Sequence, residues 1–262
     1  MSKMKAIAGV ARLPFLILPV TLIASGAASG ALGGEFSWLE AALALVGLLA
    51  LHAAVNILNE ASDMRTGIDM NTKRTPFSGG SGTLPSGAMS VRTARALGLT
   101  AAAVGLAVGI RFLYTVGIPM IPFLVIGAVL ALGYTDLLAR AGIGEIAAGL
   151  GLGALPVVGT DLVMDGVIGT ASIAASIPAF LMTYNLLLLN EFPDEKADRA
   201  GGRRNLVILL GRPAAAWTYI LAALAVPVGI IAAVFLDVLP TMALIAALPT
   251  VQLAPALKWA AT

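Results

Sequence analysis

Two short polar stretches carry most of the chemistry this sequence can offer: Asn56-I-L-Asn59-E-A-S-Asp63-M-R-T-G-I-Asp69 and Asn190-E-F-P-Asp194-E-K-A-Asp198. Seven of the 14 acidic residues lie within residues 60–69 and 191–198, and Lys and Arg flank both stretches. Carboxylates at membrane depth are costly unless they bind something. Two such clusters beside cations point to metal ions and a polyanion held between helix ends. His52, Asn56, Asn59 and Asp63 recur at intervals of four, three and four, which places them on one helical face turned into a bundle. Glu60 falls on an adjacent face. Gly67 can end the helix and let Asp69 swing back toward Asp63. Asn190, Asp194 and Asp198 recur at intervals of four on another face, with Glu191 and Glu195 as a second stripe and Pro193 expected to kink or restart the helix. Oxygen ligands of this kind suit Mg²⁺, which binds through few carboxylates plus phosphate. The bland alternative is a polar network that only fixes helix packing, with flanking cations that only anchor the chain.

A diphosphate fits this pairing. It carries several negative charges and leaves carbon poorly unless metal ions neutralise it. Arg and Lys add charge-assisted hydrogen bonds to its outer oxygens, and an allylic carbon then becomes the electrophile. Tyr184 and Asn185 lie upstream of the second stretch as lining or bundle-crossing groups. His52 either lines a pocket or orients a neighbour. Nothing here has the His/Cys pattern of a zinc site.

The elements that must position these residues are membrane spans. The chain has 262 residues, 59% hydrophobic and 11% charged, with a mean hydropathy of +0.95. Apolar runs reach the ~20 residues a bilayer crossing needs. The expected fold class is all-α, a polytopic transmembrane helical bundle in one domain over 1–262, with spans near 13–33, 38–60, 93–111, 117–135, 143–160, 167–190, 214–236 and 239–258. The first resembles a signal peptide in its basic start, but its length and the spans that follow favour a retained helix. There is no cysteine, which excludes disulfide and thiol chemistry. The pI near 9.1 reflects asymmetric charge placement and is not read as nucleic-acid binding.

With the N-terminus inside, the inner segments hold Lys3, Lys5, Arg12, Arg65, Lys73, Arg74, Arg92, Arg95, Arg140, Lys196, Arg199, Arg203, Arg204, Arg212 and Lys258. The outer segments hold Arg111 with Glu35, Asp161, Asp165 and Asp237. This positive-inside pattern puts both acidic stretches on the cytoplasmic side. The Gly/Ser/Pro tract at 77–87 reads as a connector or as an anion-cradling lid. The two halves share a weak symmetry, an inward helix with an Asn/Asp-rich end and then a basic loop. A transporter with intramembrane Asp residues is the alternative from a different class, and oligomeric state is open.

These residues resemble the UbiA-type superfamily of intramembrane prenyltransferases. Asn59, Asp63 and Asp69 match the polar anchors of its first Asp-rich motif, in the form found in 1,4-dihydroxy-2-naphthoate prenyltransferases, with Glu60 in place of a common Asp. Asn190, Asp194 and Asp198 match the second motif, and Arg203-Arg204-Asn205-L-V-I-L-L-G-Arg212 resembles the same branch. Tyr134 and Glu145 sit at family positions, whereas Asp136 and Leu137 stand where a proline pair is usual. The resemblance covers about residues 10–236. It implies nine helices around a central cavity, against eight found here, so a final helix is expected to be missing or merged.

The resemblance further implies that Asn59, Asp63, Asp69, Asn190, Asp194 and Asp198 hold Mg²⁺, with the four Asp residues catalytic. It implies that Lys73, Arg74, Lys196, Arg203 and Arg204 clamp the diphosphate; Tyr134 and Glu145 join His52, Asn56, Tyr184 and Asn185 as pocket candidates. The expected partners are a polyprenyl diphosphate, a small aromatic acceptor and the lipid bilayer. A dihydroxynaphthoate acceptor is favoured, as in menaquinone synthesis. Hydroxybenzoate, tetrapyrrole and glycerol-phosphate lipid acceptors, or terpene cyclisation, remain alternatives.

Overall fold

A computed structural model describes residues 2–34, 36–75, 78–253 and 255. Among these residues there are seven helices long and apolar enough to cross a membrane: α1 (Leu13–Leu32), α2 (Trp38–Thr66), α3 (Val91–Val116), α4 (Ile118–Ala141), α5 (Gly144–Asp165), α6 (Thr170–Ala200) and α7 (Arg212–Phe235). A short helix, Lys3–Val10, precedes them. The all-α bundle expected from hydropathy is therefore observed. The eighth expected span, 239–258, differs: its described part is a 3₁₀ helix, Thr241–Leu253, packed on α7. Glu35 and Lys258, used above to orient the chain, lie outside the described residues.

Local sequence sets the ends of these helices. Ser37 caps α2 by accepting from the Glu40 N–H at 3.3 Å, and the Ser-x-x-Glu spacing is that of a capping box. The same helix stops at Gly67, whose φ of 81° is left-handed and suits a residue without Cβ. One further helical turn, Ile68–Asn71, then folds back and buries Asp69 against the bundle. Ser90 caps α3 through the Thr93 N–H at 3.1 Å. Asn205 caps the short helix Leu206–Leu210 through the Ile208 N–H at 3.0 Å.

Pro193 was expected to kink or restart the helix; α6 is continuous from Thr170 to Ala200 through both Pro178 and Pro193, so it does not restart there. Arg212 Nη1 donates to the Phe192 carbonyl at 3.0 Å and ties α7 to α6 beside Pro193.

Two π-turns interrupt the regular ladder, Tyr134–Leu138 in α4 and Leu150–Ala154 in α5. Such bulges concentrate at functional sites because they re-aim side chains. In α5 the bulge exposes the Leu152 carbonyl, which accepts from Thr183 Oγ1 of α6 at 2.6 Å. The first bulge turns Tyr134 into the bundle and Thr135 toward α2.

Three apolar clusters hold the helices together. One, built on Leu22, Ile23, Leu48, Phe112, Met120, Val157 and Leu162, closes the end of the bundle away from the acidic stretches. A second (Val10, Ile57, Ala61, Leu84, Ala94) joins the N-terminal helix to α2 and α3. A third (Leu188, Phe192, Val207, Ala215, Tyr219) joins α6 to α7. Close helix approach needs small residues. At Gly26 a Cβ would meet the Val157 carbonyl oxygen at 2.4 Å.

Candidate active site

The helices enclose one large cavity of about 550 Å³. Its walls over most of its length are Leu, Ala, Gly and Phe side chains from α1 to α6. Its polar end is formed by Asn59, Asp63 and Asp69 from α2 and the turn after it, Asn190, Glu191, Asp194 and Asp198 from α6, and Tyr134, Arg12 and Arg203. The two acidic stretches, more than 120 residues apart in the chain, thus face each other across one chamber.

Arg203 is the hinge of this polar end. Its Nη2 donates to Asn59 Oδ1 at 2.7 Å and to Asp63 Oδ2 at 2.7 Å. Its Nη1 lies 3.5 Å from Asp198 Oδ1. Burial alone would lower its pKa, but the Asp63 and Asp198 carboxylates hold the guanidinium above its ordinary value. Asn59 Nδ2 donates to Asp63 Oδ2 at 3.0 Å, and Thr135 Oγ1 donates to Asn59 Oδ1 at 3.2 Å. Asp198 is fixed from behind by Asn205 Nδ2 at 2.9 Å. One Asn therefore caps a helix and orients a carboxylate.

The loop after the first motif folds over this end. Gly79 N–H donates to Asp194 Oδ2 at 3.1 Å. A Cβ on Gly80, whose φ is 72°, would stand 2.7 Å from Asp69 Oδ1, so only glycine lets the loop approach so closely. Glu60 is fully buried but does not line the cavity. Its carboxylate accepts from Ser81 N–H at 2.7 Å, Ser81 Oγ at 2.6 Å and Arg12 Nε at 3.2 Å. The longer arm of Glu60 thus anchors the loop and the N-terminal segment, instead of adding a third carboxylate of the first motif to the chamber.

Several buried oxygens of this chamber lack hydrogen bonds: Asp69 Oδ2, Asp194 Oδ1 and Asp198 Oδ1. Buried acceptors are seldom left so, and cations are the natural complement. Burial first, then the neighbouring Asp63 and Glu60 carboxylates, push the Asp69 pKa up to about 7. Among the described residues no three Asp, Glu or His side chains are gathered tightly enough to hold a metal by themselves. That donor set suits an ion held by one or two carboxylates while water and a phosphate supply the rest, the habit of Mg²⁺.

The expected site residues divide. Asn59, Asp63, Asp69, Asn190, Asp194, Asp198, Arg203, Tyr134, His52 and Asn56 all line the chamber. His52 Nδ1 is buried without a partner, and Asn56 Nδ2 donates to the Ala11 carbonyl at 3.0 Å. Lys73, Arg74, Lys196 and Arg204 are exposed and do not line it. Arg74 folds back over Gly82 of the loop. Lys196 falls on the outer face of α6, two positions from the inward Asp194 and Asp198.

Glu145, Tyr184 and Asn185 stand behind the wall. Glu145 Oε1 accepts from Leu206 N–H at 2.6 Å, tying α5 to the segment after the second motif. Tyr184 packs parallel to Phe180 with ring centroids 6.3 Å apart. Asn185 Nδ2 donates to the Tyr219 carbonyl at 3.0 Å and joins α6 to α7. Asp136, which replaces the usual proline pair, accepts from Ser62 Oγ at 2.6 Å and Arg65 Nη2 at 3.2 Å, and so pins the first π-turn to α2.

Two chamber residues escaped the sequence reading. Arg12 was taken only as an orienting charge. It adopts a left-handed φ of 51° between the N-terminal helix and α1 and reaches the chamber beside Glu60. The break in helix signal at Arg12-Leu-Pro14 was the available clue. Glu191 was placed on a second stripe, yet it lines the chamber beside Tyr134, nearly buried.

A chamber with a charged, polar end and a long apolar body is the shape that suits a membrane enzyme whose substrate has a charged head and a hydrocarbon tail. The chain belongs to the UbiA prenyltransferase family, whose model matches residues 17–260. Among solved structures it is similar to a UbiA homolog from Archaeoglobus fulgidus bound to GPP and Mg²⁺, at 17% identity and a TM-score of 0.66 over 97% of this chain and 84% of that one. A UbiA homolog from the same organism bound to DMAPP and Mg²⁺ matches at 18% identity and 0.66, over 97% and 85%. A structure giving insight into digeranylgeranylglyceryl phosphate synthase in membranes matches at 16% identity and 0.67, over 99% and 88%. No curated protein matches the chain in sequence. The structural likenesses establish that the bundle has the UbiA-type fold.

Proposed function

We propose that this prenyltransferase moves an allylic prenyl group from a polyprenyl diphosphate to a small acceptor, with Mg²⁺ as its metal. The observation that carries the reading is the convergence of Asn59, Asp63 and Asp69 with Asn190, Asp194 and Asp198 at the polar end of one apolar cavity. The unpartnered oxygens of Asp69, Asp194 and Asp198 support the metal, as do the Mg²⁺-bound homologs from Archaeoglobus fulgidus. When bound, Mg²⁺ neutralises the diphosphate and makes it a better leaving group.

The chain's own residues do the remaining work. Asp63 and Asp198 hold Arg203 across the chamber mouth, where its fork can meet phosphate oxygens. Arg12 offers a second cation at the polar end of the chamber, tied to Glu60. The Gly79–Gly82 segment covers the head group and limits water. The tail lies along Leu, Ala and Gly walls, favoured by ~0.8 kcal/mol per buried CH₂. Lys73, Arg74, Lys196 and Arg204 serve as outer cations that attract the anion. The positive-inside charge distribution supports a cytoplasmic mouth.

For the acceptor, the form of the first motif supports a dihydroxynaphthoate-type quinone precursor. The likeness to a digeranylgeranylglyceryl phosphate synthase supports a second reading, a glycerol-phosphate lipid acceptor. A panel in nanodiscs separates them: Mg²⁺, geranylgeranyl diphosphate and each acceptor alone, followed by product mass. Product with dihydroxynaphthoate alone supports the first reading, and product with the glycerol-phosphate lipid alone supports the second. Absence of diphosphate release with every acceptor, in folded protein, rejects prenyl transfer.

A further inference from the structure

We propose that a small pocket between the N-terminal helix and the loop after the first motif is an anion subsite for the acceptor, and that Arg12 holds the acceptor's carboxylate or phosphate there. This rests on the prenyl-transfer reading above. The pocket has a volume of about 180 Å³. It is lined by Ala8 and Gly9 of the helix Lys3–Val10, by Arg12 and Phe15 after it, and by Ser78 and Gly80 of the loop. Arg12, Phe15, Ser78 and Gly80 also line the chamber, so the two spaces share a wall. Elsewhere the pocket reaches the surface, at the exposed residues Pro14 and Ser81.

Arg12 is placed to hold an anion. Its φ of 51° is left-handed, a costly setting for a residue with a Cβ, and such strain gathers at ligand clamps. Buried Glu60 accepts from its Nε at 3.2 Å. Among the described residues no other group is hydrogen bonded to the guanidinium. The Nη1 and Nη2 groups are thus a free fork, fixed at the Nε edge by Glu60. Such a fork takes a carboxylate or phosphate through two parallel hydrogen bonds. Lys3 and Lys5, exposed on the N-terminal helix, add positive charge that draws an anion toward this end.

The pocket suits the acceptor and not the donor. Glu60 already accepts from Arg12, from Ser81 N–H and from Ser81 Oγ, so it offers no unpartnered oxygen to a metal. A metal-bound diphosphate belongs instead with the unpartnered oxygens of Asp69, Asp194 and Asp198. The pocket's volume equals the share of about six waters in the liquid. That is room for a head group or a single ring and not for a polyprenyl tail. Both candidate acceptors carry the required group, a carboxylate on dihydroxynaphthoate and a phosphate on the glycerol lipid. Arg12 is therefore a specificity-determining residue for acceptor charge.

The test uses the full chain in nanodiscs with Mg²⁺ and geranylgeranyl diphosphate. Acceptors are supplied as charged and uncharged pairs: 1,4-dihydroxy-2-naphthoate with 1,4-dihydroxynaphthalene, and a geranylgeranyl glycerol phosphate with the same lipid lacking phosphate. Arg12→Gln removes the charge of the fork. The double variant Arg12→Gln/Glu60→Gln does so without leaving a buried carboxylate unpaired. Ala8→Phe fills the pocket from the N-terminal helix, and Ala8 does not line the chamber. In each variant the KM of the charged acceptor is expected to rise about tenfold to a hundredfold, the range of one hydrogen bond to a charged group, while the donor KM stays as in wild type.

A rise confined to dihydroxynaphthoate identifies the anion as a carboxylate, and one confined to the glycerol phosphate identifies it as a phosphate; either supports the pocket. An unchanged acceptor KM in folded variants, an equal rise in donor KM, or an equal rise with the uncharged acceptor overturns it. Equilibrium dialysis of the charged acceptor against donor-free protein supplies a readout independent of turnover. Equal retention by wild type and variants overturns the pocket as well. Absence of diphosphate release with every acceptor rejects the prenyl-transfer reading itself, a separate result.

Discussion

Arg203 donates to Asp63 across 140 residues of sequence, and this pair draws the end of α2 to the segment that follows α6. The Asp63 side chain is 5% exposed and that of Arg203 is 18% exposed. The contact therefore closes the polar end of the bundle and also aims a guanidinium fork at the chamber. Arg203→Ala is expected to leave Asp63 buried and unpaired and to lower stability by about 3–5 kcal/mol. Arg203→Lys keeps the charge without the fork and is expected to recover stability more than activity. Thermal unfolding in detergent beside kcat/KM for a prenyl diphosphate measures the split. Equal recovery of both would remove the fork from the reaction.

Asp194 has one oxygen held by the Gly79 N–H and the other buried without a hydrogen bond. Asp194→Asn keeps the shape and removes the charge. Turnover is expected to drop by about 10²–10³, the scale for loss of one transition-state electrostatic group, with little change in unfolding temperature. A Mg²⁺ titration should show weaker half-saturation in this variant. A variant with wild-type Mg²⁺ dependence would take Asp194 out of the metal set.

Asp69 carries a pKa raised to about 7, chiefly by burial and then by Asp63 and Glu60. Metal binding needs its carboxylate form, so protons compete with Mg²⁺ below that value. The Mg²⁺ needed for half-maximal rate is expected to rise as pH falls through about 7, and to level off above it. Asp69→Asn should flatten this dependence. The sign for stability is opposite. The folded metal-free protein binds a proton that the unfolded chain has released, so this group's contribution is lost as pH rises from the ordinary carboxylate range toward about 7. Mg²⁺ titrations on either side of neutrality, with unfolding followed in parallel, check both.

Glu60 holds the loop and Arg12 together without facing the chamber. Glu60→Gln retains the bulk but loses the charge that Arg12 and Ser81 share. Stability is expected to fall by about 1–3 kcal/mol, and residues 78–87 should become more sensitive to proteolysis. Mg²⁺ affinity should change less than in Asp194→Asn. An equal loss of Mg²⁺ affinity would move Glu60 into the metal set.

Gly26 crosses α5 with no room for a side chain. Gly26→Val is expected to force α1 from Val157 and cost at least about 1–3 kcal/mol. Unfolding temperature and monodispersity in detergent report it.

The class of the protein and the composition of its site are properties of the sequence alone. Runs of about twenty apolar residues have no stable state in water, and a carboxylate cluster at their ends survives only with partners, so seven of the eight expected spans and the inward face of Asn59, Asp63, Asn190, Asp194 and Asp198 follow from periodicity and solvation. Periodicity within a helix cannot say which of several loop cations turns inward. The fold chose Arg203, because Asp63 and Asp198 converge on it, and Arg12, because the chain breaks there; it left Lys73, Arg74, Lys196 and Arg204 in solvent. Nor could sequence spacing show that Glu145 and Asn185 would be spent on backbone groups of other elements. Those pairings depend on how helices distant in the chain pack, and only tertiary structure decides that.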